Sequence, residues 1–170
     1  MKFFIAVFLM LSFSISIVAQ DESGREIKKA QNFILEDLDG DFVELNELTG
    51  EGPLLLSFWA TWCKPCIEEM RELNKIYEQY KSDGFNLVAI SVDSEKSLSR
   101  VKPFIKSKNY DFTVLLDTNS EVARMYYAQP VPYTVLLDPE GTIVYSHLGY
   151  KKGDEKEVEK LIQSLIKKSE

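Results

Sequence analysis

The chain has few of the residues from which metal sites and hydrolytic active sites are built. Its 170 residues include two cysteines and one histidine. A structural zinc site uses four ligands, usually cysteine and histidine, so these side chains are too few. A nucleophilic cysteine paired with a histidine needs a third group to orient the histidine, and it leaves the second cysteine unexplained. His147 is therefore predicted to be an ordinary surface or core histidine.

The sequence also lacks an excess of positive charge, internal repeats and a glycine-rich phosphate loop. The formal net charge is -7, with 20 Lys and Arg against 27 Asp and Glu, and the acidic residues are spread along the chain. Such a charge favours solubility and makes nucleic acid an unsuitable partner.

The N-terminus has the layout of a secretory signal peptide, predicted over residues 1–19. Lys2 precedes an apolar run from Phe3 to Val18, and the small residue Ala19 follows. The run is shorter than the roughly 20 apolar residues of a membrane-spanning helix. We expect cleavage near Ala19, which would place the protein in the periplasm or cell envelope. Ile17 is bulkier than the residue usually found three positions before a cut, so an uncleaved membrane anchor stays open as the alternative.

After removal of the leader, about 150 residues remain, which is enough for one domain with its own core. Residues 20–31 are charged and aperiodic and predict a flexible lead-in. The folded domain is expected over residues 32–168, as a monomer.

Apolar spacing predicts alternating strands and helices. The stretch NFILEDLDGDFVEL has the turn signal Asp39-Gly40 between strand formers and predicts a hairpin. The run PLLLSFWA predicts a strand buried on both faces, in the centre of a sheet. Apolar residues spaced by three and four predict a helix over about 65–82, ended by Gly84.

The rest of the chain continues this alternation. Asn119 is predicted to be the N-cap of a helix that runs to about residue 127. The pattern as a whole predicts an α/β domain with a mixed sheet. Further strands are predicted at FNLVAISV, FTVLLD, YTVLLD and TIVYSHLGY, and further helices around 101–105 and from about 154 to the C-terminus.

Both cysteines lie in WATWCKPC, where the buried strand gives way to the helix. A disulfide between residues three apart closes too short a loop to stabilise the fold much, so a structural clip is the poorer explanation. Cys63 is expected at the head of the helix, where free N–H groups and the helix dipole favour the thiolate. Lys64 adds a positive charge, and Pro65 suits the first helical turn. Cys66 falls on the same side, one turn further on.

This spacing suits thiol-disulfide exchange. The thiolate of Cys63 would attack a disulfide of a partner, and Cys66 would resolve the mixed disulfide and release the reduced partner. Glu69 follows on the same helix face, either as the base that accepts the proton of Cys66 or as a solvated helix glutamate. The Val131-Pro132 bond precedes an apolar strand and can be cis or trans.

Together these stretches resemble the thioredoxin superfamily, in particular the exported TlpA/ResA-like thiol-disulfide oxidoreductases. The resemblance rests on FWATWCKPC, the glutamate at position 69, AISVD and VPYTVLLDPEGTIV, and it covers roughly residues 32–165. It implies a thioredoxin fold in which helices flank a mixed central sheet. An N-terminal β-hairpin and an inserted helix-strand segment at about 94–127 are expected in addition.

The resemblance also implies roles for single residues. Cys63 matches the nucleophile of the family, Cys66 its resolving cysteine, and Trp62 the aromatic residue beside the active site. Pro132 matches the cis-proline of the family, and Val131 the residue whose backbone pairs with a bound substrate strand.

Four positions bear on how far the resemblance extends. Glu69 matches a glutamate that the subgroup places near the cysteines and links to reductase work in cytochrome c maturation. Ser57 stands where thioredoxin has a buried aspartate, which leaves Glu69 as the nearby carboxylate for proton transfer. Arg71 replaces a proline, so a helix kink common in the family is expected to be absent. Tyr133 follows Pro132 where relatives usually have Thr or Ser, which points to a different choice of substrate.

The resemblance implies an exported enzyme that reduces disulfides of protein substrates. It implies no cofactor and no metal, and it implies that a membrane electron donor recharges the cysteine pair. Two alternatives stay open. One is a peroxidase of the peroxiredoxin type, which the tight pair of cysteines disfavours. The other is a non-catalytic binding or chaperone module that retains the fold.

Overall fold

The computed structural model describes residues 28–169. The predicted leader and most of the predicted lead-in lie outside these residues. The end of the lead-in differs from the prediction, because Lys29 forms a β-bridge with Thr142 and the amide of Ala30 donates to the carbonyl of Gly141 at 2.9 Å. Among residues 28–169, the structure has no helix that combines the length and apolar character needed to span a membrane.

The described residues form one mixed sheet with helices on both faces. The strands lie in the order β2-β1-β5-β4-β3-β6-β7, and β3, β4 and β5 run parallel to one another while the remaining pairs are antiparallel. The strands are β1 Ile34–Asp37, β2 Phe42–Glu44, β3 Leu54–Trp59, β4 Asn86–Ser91, β5 Thr113–Leu116, β6 Tyr133–Leu137 and β7 Ile143–Leu148. The helices are α1 Leu45–Leu48, α2 Lys64–Tyr80, α3 Val101–Lys108, α4 Glu121–Met125 and α5 Glu155–Ser169.

The predicted mixed sheet and N-terminal hairpin are confirmed, and α3, β5 and α4 occupy the segment predicted as an insertion. Every residue of β3 is buried, as its apolar run predicts. Because side chains alternate along a strand, Leu55 and Trp59 face α2, α3 and α5, whereas Leu54, Leu56 and Phe58 face α1 and α4. Burial of each such side chain contributes about 1.5–3 kcal/mol relative to exposure, so β3 anchors both layers of the core.

Helix α2 begins directly after Cys63 and runs without interruption past Arg71, as expected. It continues into a short 3-10 turn, which ends at Gly84. The φ of Gly84 is 88°, a left-handed conformation that glycine adopts without a steric penalty. The predicted stop signal is thus confirmed, and the helix holds its first turn at the carboxyl end of β3.

The start of α4 corrects the sequence prediction. Ser120, not Asn119, occupies the N-cap position, and its side chain makes no capping hydrogen bond. The side chain of Asn119 still accepts from the amide of Glu121 at 3.1 Å. The buried carboxylate of Asp117 accepts from the amides of Val122 and Ala123 at 3.3 and 2.7 Å. The helix ends at Met125 because the chain turns left-handed soon afterwards, at Tyr127 with φ 56°.

Candidate functional site

The two cysteines form a disulfide at the head of α2. Their sulfurs are 1.99 Å apart, and Cys63 is the N-cap residue of the helix. The amide of Cys66 donates to Sγ of Cys63 at 3.3 Å. The predicted placement is therefore confirmed: a free N–H group of the first helical turn, that of Cys66, points at the sulfur of Cys63, where it would stabilise a negative charge.

The two cysteine residues differ in exposure to solvent, although both are largely buried. Cys63 retains 7% of its surface and Cys66 retains 1%, while Trp62 beside them is 60% exposed. A partner that approaches the pair thus meets Trp62 and Cys63 first. Cys66 is shielded by the core that α2 forms with β3.

The loop before β6 lies against this disulfide. The carbonyl oxygen of Val131 is 3.9 Å from Sγ of Cys63, and the Val131-Pro132 peptide bond is cis. The cis bond implied by the resemblance is thereby confirmed. The Gln129-Pro130 bond is cis as well, which the sequence analysis did not predict.

A groove of about 490 Å³ opens beside the disulfide, and Pro65, Val131, Pro132 and Asp154 lie along it. His147 also lines this groove, with Nε2 3.3 Å from Oδ2 of Asp154. Of the two settings predicted for His147, surface or core, the structure shows a partly exposed side chain paired with a carboxylate.

The side chain of Tyr133 does not face this groove. It packs on Phe58, with ring centroids 6.4 Å apart, on the sheet face opposite to α2. The sequence analysis expected Tyr133 to alter the choice of substrate because it follows Pro132. The alternation of side chains along β6 instead turns it away from the groove.

Glu69 is buried beneath the first turns of α2. It is 5% exposed, its Oε1 accepts a hydrogen bond from the hydroxyl of Thr134 at 2.9 Å, and its Oε2 has no hydrogen-bond partner. Burial raises the pKa of Glu69 to about 7; the Thr134 hydrogen bond opposes this rise and the negative charge of Asp154 adds to it. The reading of Glu69 as a solvated helix glutamate is wrong; the neighbouring Glu68 is the exposed one.

The carboxylate that holds the turn before Cys63 was not predicted from the sequence. Asp93 is fully buried, and its two oxygens accept from the amide and the hydroxyl of Thr61, each at 2.7 Å. The hydroxyl of Ser91 donates to it at 3.0 Å. One signal was present, because Asp93 follows β4, and the carboxyl ends of parallel neighbours such as β3 and β4 meet at one sheet edge.

We expect Asp93→Ala to lower the free energy of unfolding by about 3 kcal/mol, because it leaves the part-buried donors of Thr61 and the buried hydroxyl of Ser91 without their charged acceptor. Urea denaturation of the oxidised protein measures the loss. The control is Asp83→Ala, at an exposed site, where a change within about 0.5 kcal/mol is expected. Equal effects of the two substitutions would show that Asp93 does not hold this turn.

The buried carboxyl of Glu69 should also make stability depend on pH. Its pKa rises from an ordinary 4.5 in the unfolded chain to about 7 in the folded one, so the folded state binds the proton more tightly. Stability is therefore lost as pH rises between these two values, and above pH 7 the cost amounts to about 3 kcal/mol. Glu69→Gln removes this cost, so the variant should exceed the wild type in unfolding free energy at pH 8, by a margin that shrinks towards pH 5.

Urea denaturation of both proteins at several pH values between 5 and 8 measures this margin. Glu68→Gln, on the exposed side of the same turn, is the control and should show no such trend. A margin that stays constant between pH 5 and pH 8 contradicts the prediction.

Comparison with known proteins gives a family and several relatives of this chain. Residues 27–146 match the AhpC/TSA family. The chain is 40% identical over 129 residues to the thiol-disulfide oxidoreductase ResA of Bacillus subtilis, which covers 76% of this chain and 70% of that protein. It is 36% identical over 145 residues to ResA of Halalkalibacterium halodurans, which covers 85% of this chain and 81% of that protein.

A solved structure of a thioredoxin domain has a similar fold. The crystal structure of the thioredoxin domain of a thiol-disulfide oxidoreductase from Bacteroides vulgatus matches with a TM-score of 0.67 at 28% identity, covering 79% of this chain and 96% of that domain. The thioredoxin fold and the resemblance to ResA-like proteins are therefore confirmed.

Proposed function

The chain belongs to the AhpC/TSA family, with ResA thiol-disulfide oxidoreductases among its relatives, and we propose that it is an exported reductase of protein disulfides. The observation that carries the proposal is the Cys63-Cys66 pair at the head of α2, in which Cys63 keeps 7% of its surface and Cys66 1%. This difference in exposure supports attack by Cys63 and resolution by Cys66. Thiol-disulfide exchange needs both steps and no cofactor.

The reaction begins with the reduced pair. The Cys63 thiolate, stabilised by the amide of Cys66 and the helix dipole, attacks one sulfur of the partner's disulfide, and the partner's other sulfur leaves. Cys66 then loses its proton to Glu69 and attacks Cys63. The Cys63-Cys66 disulfide forms as the bond from Cys63 to the partner breaks, and the partner leaves with both its cysteines reduced.

Glu69 is suited to accept that proton. It lies one helical turn from Cys66, which is about 5 Å along the axis, and both residues are buried. A base works best when its pKa is close to the ambient pH, and burial brings the pKa of Glu69 to about 7.

The surface around Cys63 is proposed as the binding site for an extended stretch of the partner. The backbone of Val131 would pair with it, Pro132 would keep that backbone edge open, and Trp62 would cover it from the other side. The groove between Pro132 and Asp154 has room for the side chains of a bound peptide.

After each cycle the disulfide must be reduced again. We propose that the donor is a membrane electron carrier that delivers electrons outside the cytoplasm, as in the family that the sequence resembles. By the same analogy, proteins of cytochrome c maturation are the proposed clients.

A redox titration of the purified chain against glutathione, combined with reduction of insulin as a protein disulfide, tests this function. A reductase should have a potential well below about -200 mV, whereas a value near -120 mV indicates an oxidase. Consumption of hydrogen peroxide is the arm that detects a peroxidase. If a variant with both cysteines replaced by serine reduces insulin as well as the wild type does, the proposed function is wrong.

A further inference from the structure

One buried hydroxyl near the cysteines has no role in the chemistry described so far. Ser57 lies in the middle of β3, is 2% exposed, and its Oγ has no hydrogen-bond partner. The other five residues of this strand are apolar. A buried hydroxyl without a partner costs free energy that an alanine would avoid, so its presence calls for a physical reason.

The strand register places Ser57 beside the proposed base. Ser57 stands directly opposite Thr134 in the antiparallel β3–β6 pair, so the two side chains share one face of the sheet. Thr134 donates to Oε1 of Glu69, and Oε2 of Glu69 is the second buried oxygen here without a partner. The residue opposite Ser57 thus binds the carboxylate that holds the second unpaired oxygen.

Cys66 belongs to the same region. It precedes Glu69 by one turn of α2 and packs in one core cluster with Leu55 and Trp59, the neighbours of Ser57 on its face of β3. In the oxidised protein its sulfur is bonded to Cys63, and no hydrogen bond joins that sulfur to the hydroxyl of Ser57. Reduction changes this, because a thiolate is a strong acceptor and a thiol can donate to Oε2 of Glu69.

We propose that Ser57 is a positioning residue for the resolving cysteine, and that its hydroxyl donates to the sulfur of Cys66 once the disulfide is reduced. The inference rests on the proposed function, in which Cys66 gives its proton to Glu69. Ser57 keeps its own proton throughout. Its hydroxyl stabilises the thiolate of Cys66 by a hydrogen bond while Oε2 of Glu69 holds the proton. The hydrogen bond ends when Cys66 bonds to Cys63 and the partner's cysteine leaves.

In this proposal the hydroxyl makes a hydrogen bond in the reduced protein only. Ser57→Ala should leave the oxidised protein as stable as the wild type or more stable, because it removes a buried group without a partner. The same substitution should destabilise the reduced protein. The glutathione equilibrium should therefore shift about fivefold towards the disulfide, the size expected for loss of one hydrogen bond.

The experiment compares the wild type, Ser57→Ala and Ser57→Thr, which keeps the hydroxyl. Urea denaturation of each protein is measured in the oxidised form and after reduction with dithiothreitol, and the glutathione equilibrium is measured in parallel. The expected result is a lower urea midpoint for Ser57→Ala in the reduced form alone. The difference in urea midpoint between the oxidised and reduced forms should be closer to the wild-type value in Ser57→Thr.

A change of the same size in both redox states, with an unchanged glutathione equilibrium, overturns the proposal. The urea comparison needs chemical reduction alone and does not require activity. A wild type that fails to reduce insulin would therefore refute the proposed function, while the comparison of the two redox forms would still decide the role of Ser57.

Discussion

Cys66→Ser should stop turnover and accumulate the protein as a mixed disulfide with its partner. Cys63 is the more exposed of the two cysteines and the attacking one in the proposed mechanism, and this variant retains it. Resolution then depends on a thiol from solution instead of one held a single helical turn away. Since intramolecular attack by a well-placed group is worth many orders of magnitude in effective concentration, we expect turnover to fall by about 1,000-fold or more.

Mass spectrometry after mixing reduced Cys66→Ser with insulin measures the trapped species, and insulin reduction measures turnover. Cys63→Ser is the matched control, and it should lose turnover without forming the adduct, because Cys66 retains 1% of its surface. An adduct that forms on Cys63→Ser but not on Cys66→Ser would reverse the roles of the two cysteines.

The main parts of this site were predictable because they depend on local pattern. The buried run of β3, the stripe of α2 and the cysteine spacing together determine that Cys63 lies at a helix head with Cys66 one turn further on. A resemblance carried by short motifs added the cis bond at Pro132. These features need no knowledge of which strands pair.

The contacts around Glu69 and Asp93 were less accessible to sequence reasoning because they depend on pairing between distant segments. Thr134 meets Glu69 across 65 positions, and Thr61 meets Asp93 across 32. Spacing alone left two readings of Glu69, as a base and as a solvated residue. The choice between them depends on β6 lying next to β3, which brings Thr134 under α2.

Asp117 and Tyr133 illustrate two further reasons why sequence reasoning fails. Asn119 fits the usual N-cap preference and accepts from the amide of Glu121, yet Ser120 is the N-cap residue. The buried carboxylate of Asp117 accepts from the next two amides of α4. Tyr133 adjoins Pro132 in sequence, but the pleat of β6 turns it to the opposite face of the sheet. In the first case a neighbouring side chain shares the capping of the helix, and in the second the pleat of the strand decides which way the side chain faces.

Glu69→Gln should slow the resolution of the mixed disulfide by about 100-fold at pH 7 while leaving the fold intact. The carboxylate of Glu69 accepts the proton of Cys66 in the proposed mechanism, and glutamine cannot do so. With the pKa of Glu69 at about 7, the wild-type rate should rise with pH through neutrality as the carboxylate forms. In the variant this rise should be absent, and the rate should increase only at higher pH, where the thiol ionises without help.

The measurement starts from a mixed disulfide between Cys63 and a small chromophoric thiol and follows release of that thiol by stopped flow between pH 6 and pH 9. Glu68→Gln, exposed on the same turn, should keep the wild-type profile. Wild-type rates in Glu69→Gln across the whole range would remove the base from the mechanism. The stability gain predicted for this variant at pH 8 would be unaffected by that result, since it depends on the burial of the carboxyl and not on its part in proton transfer.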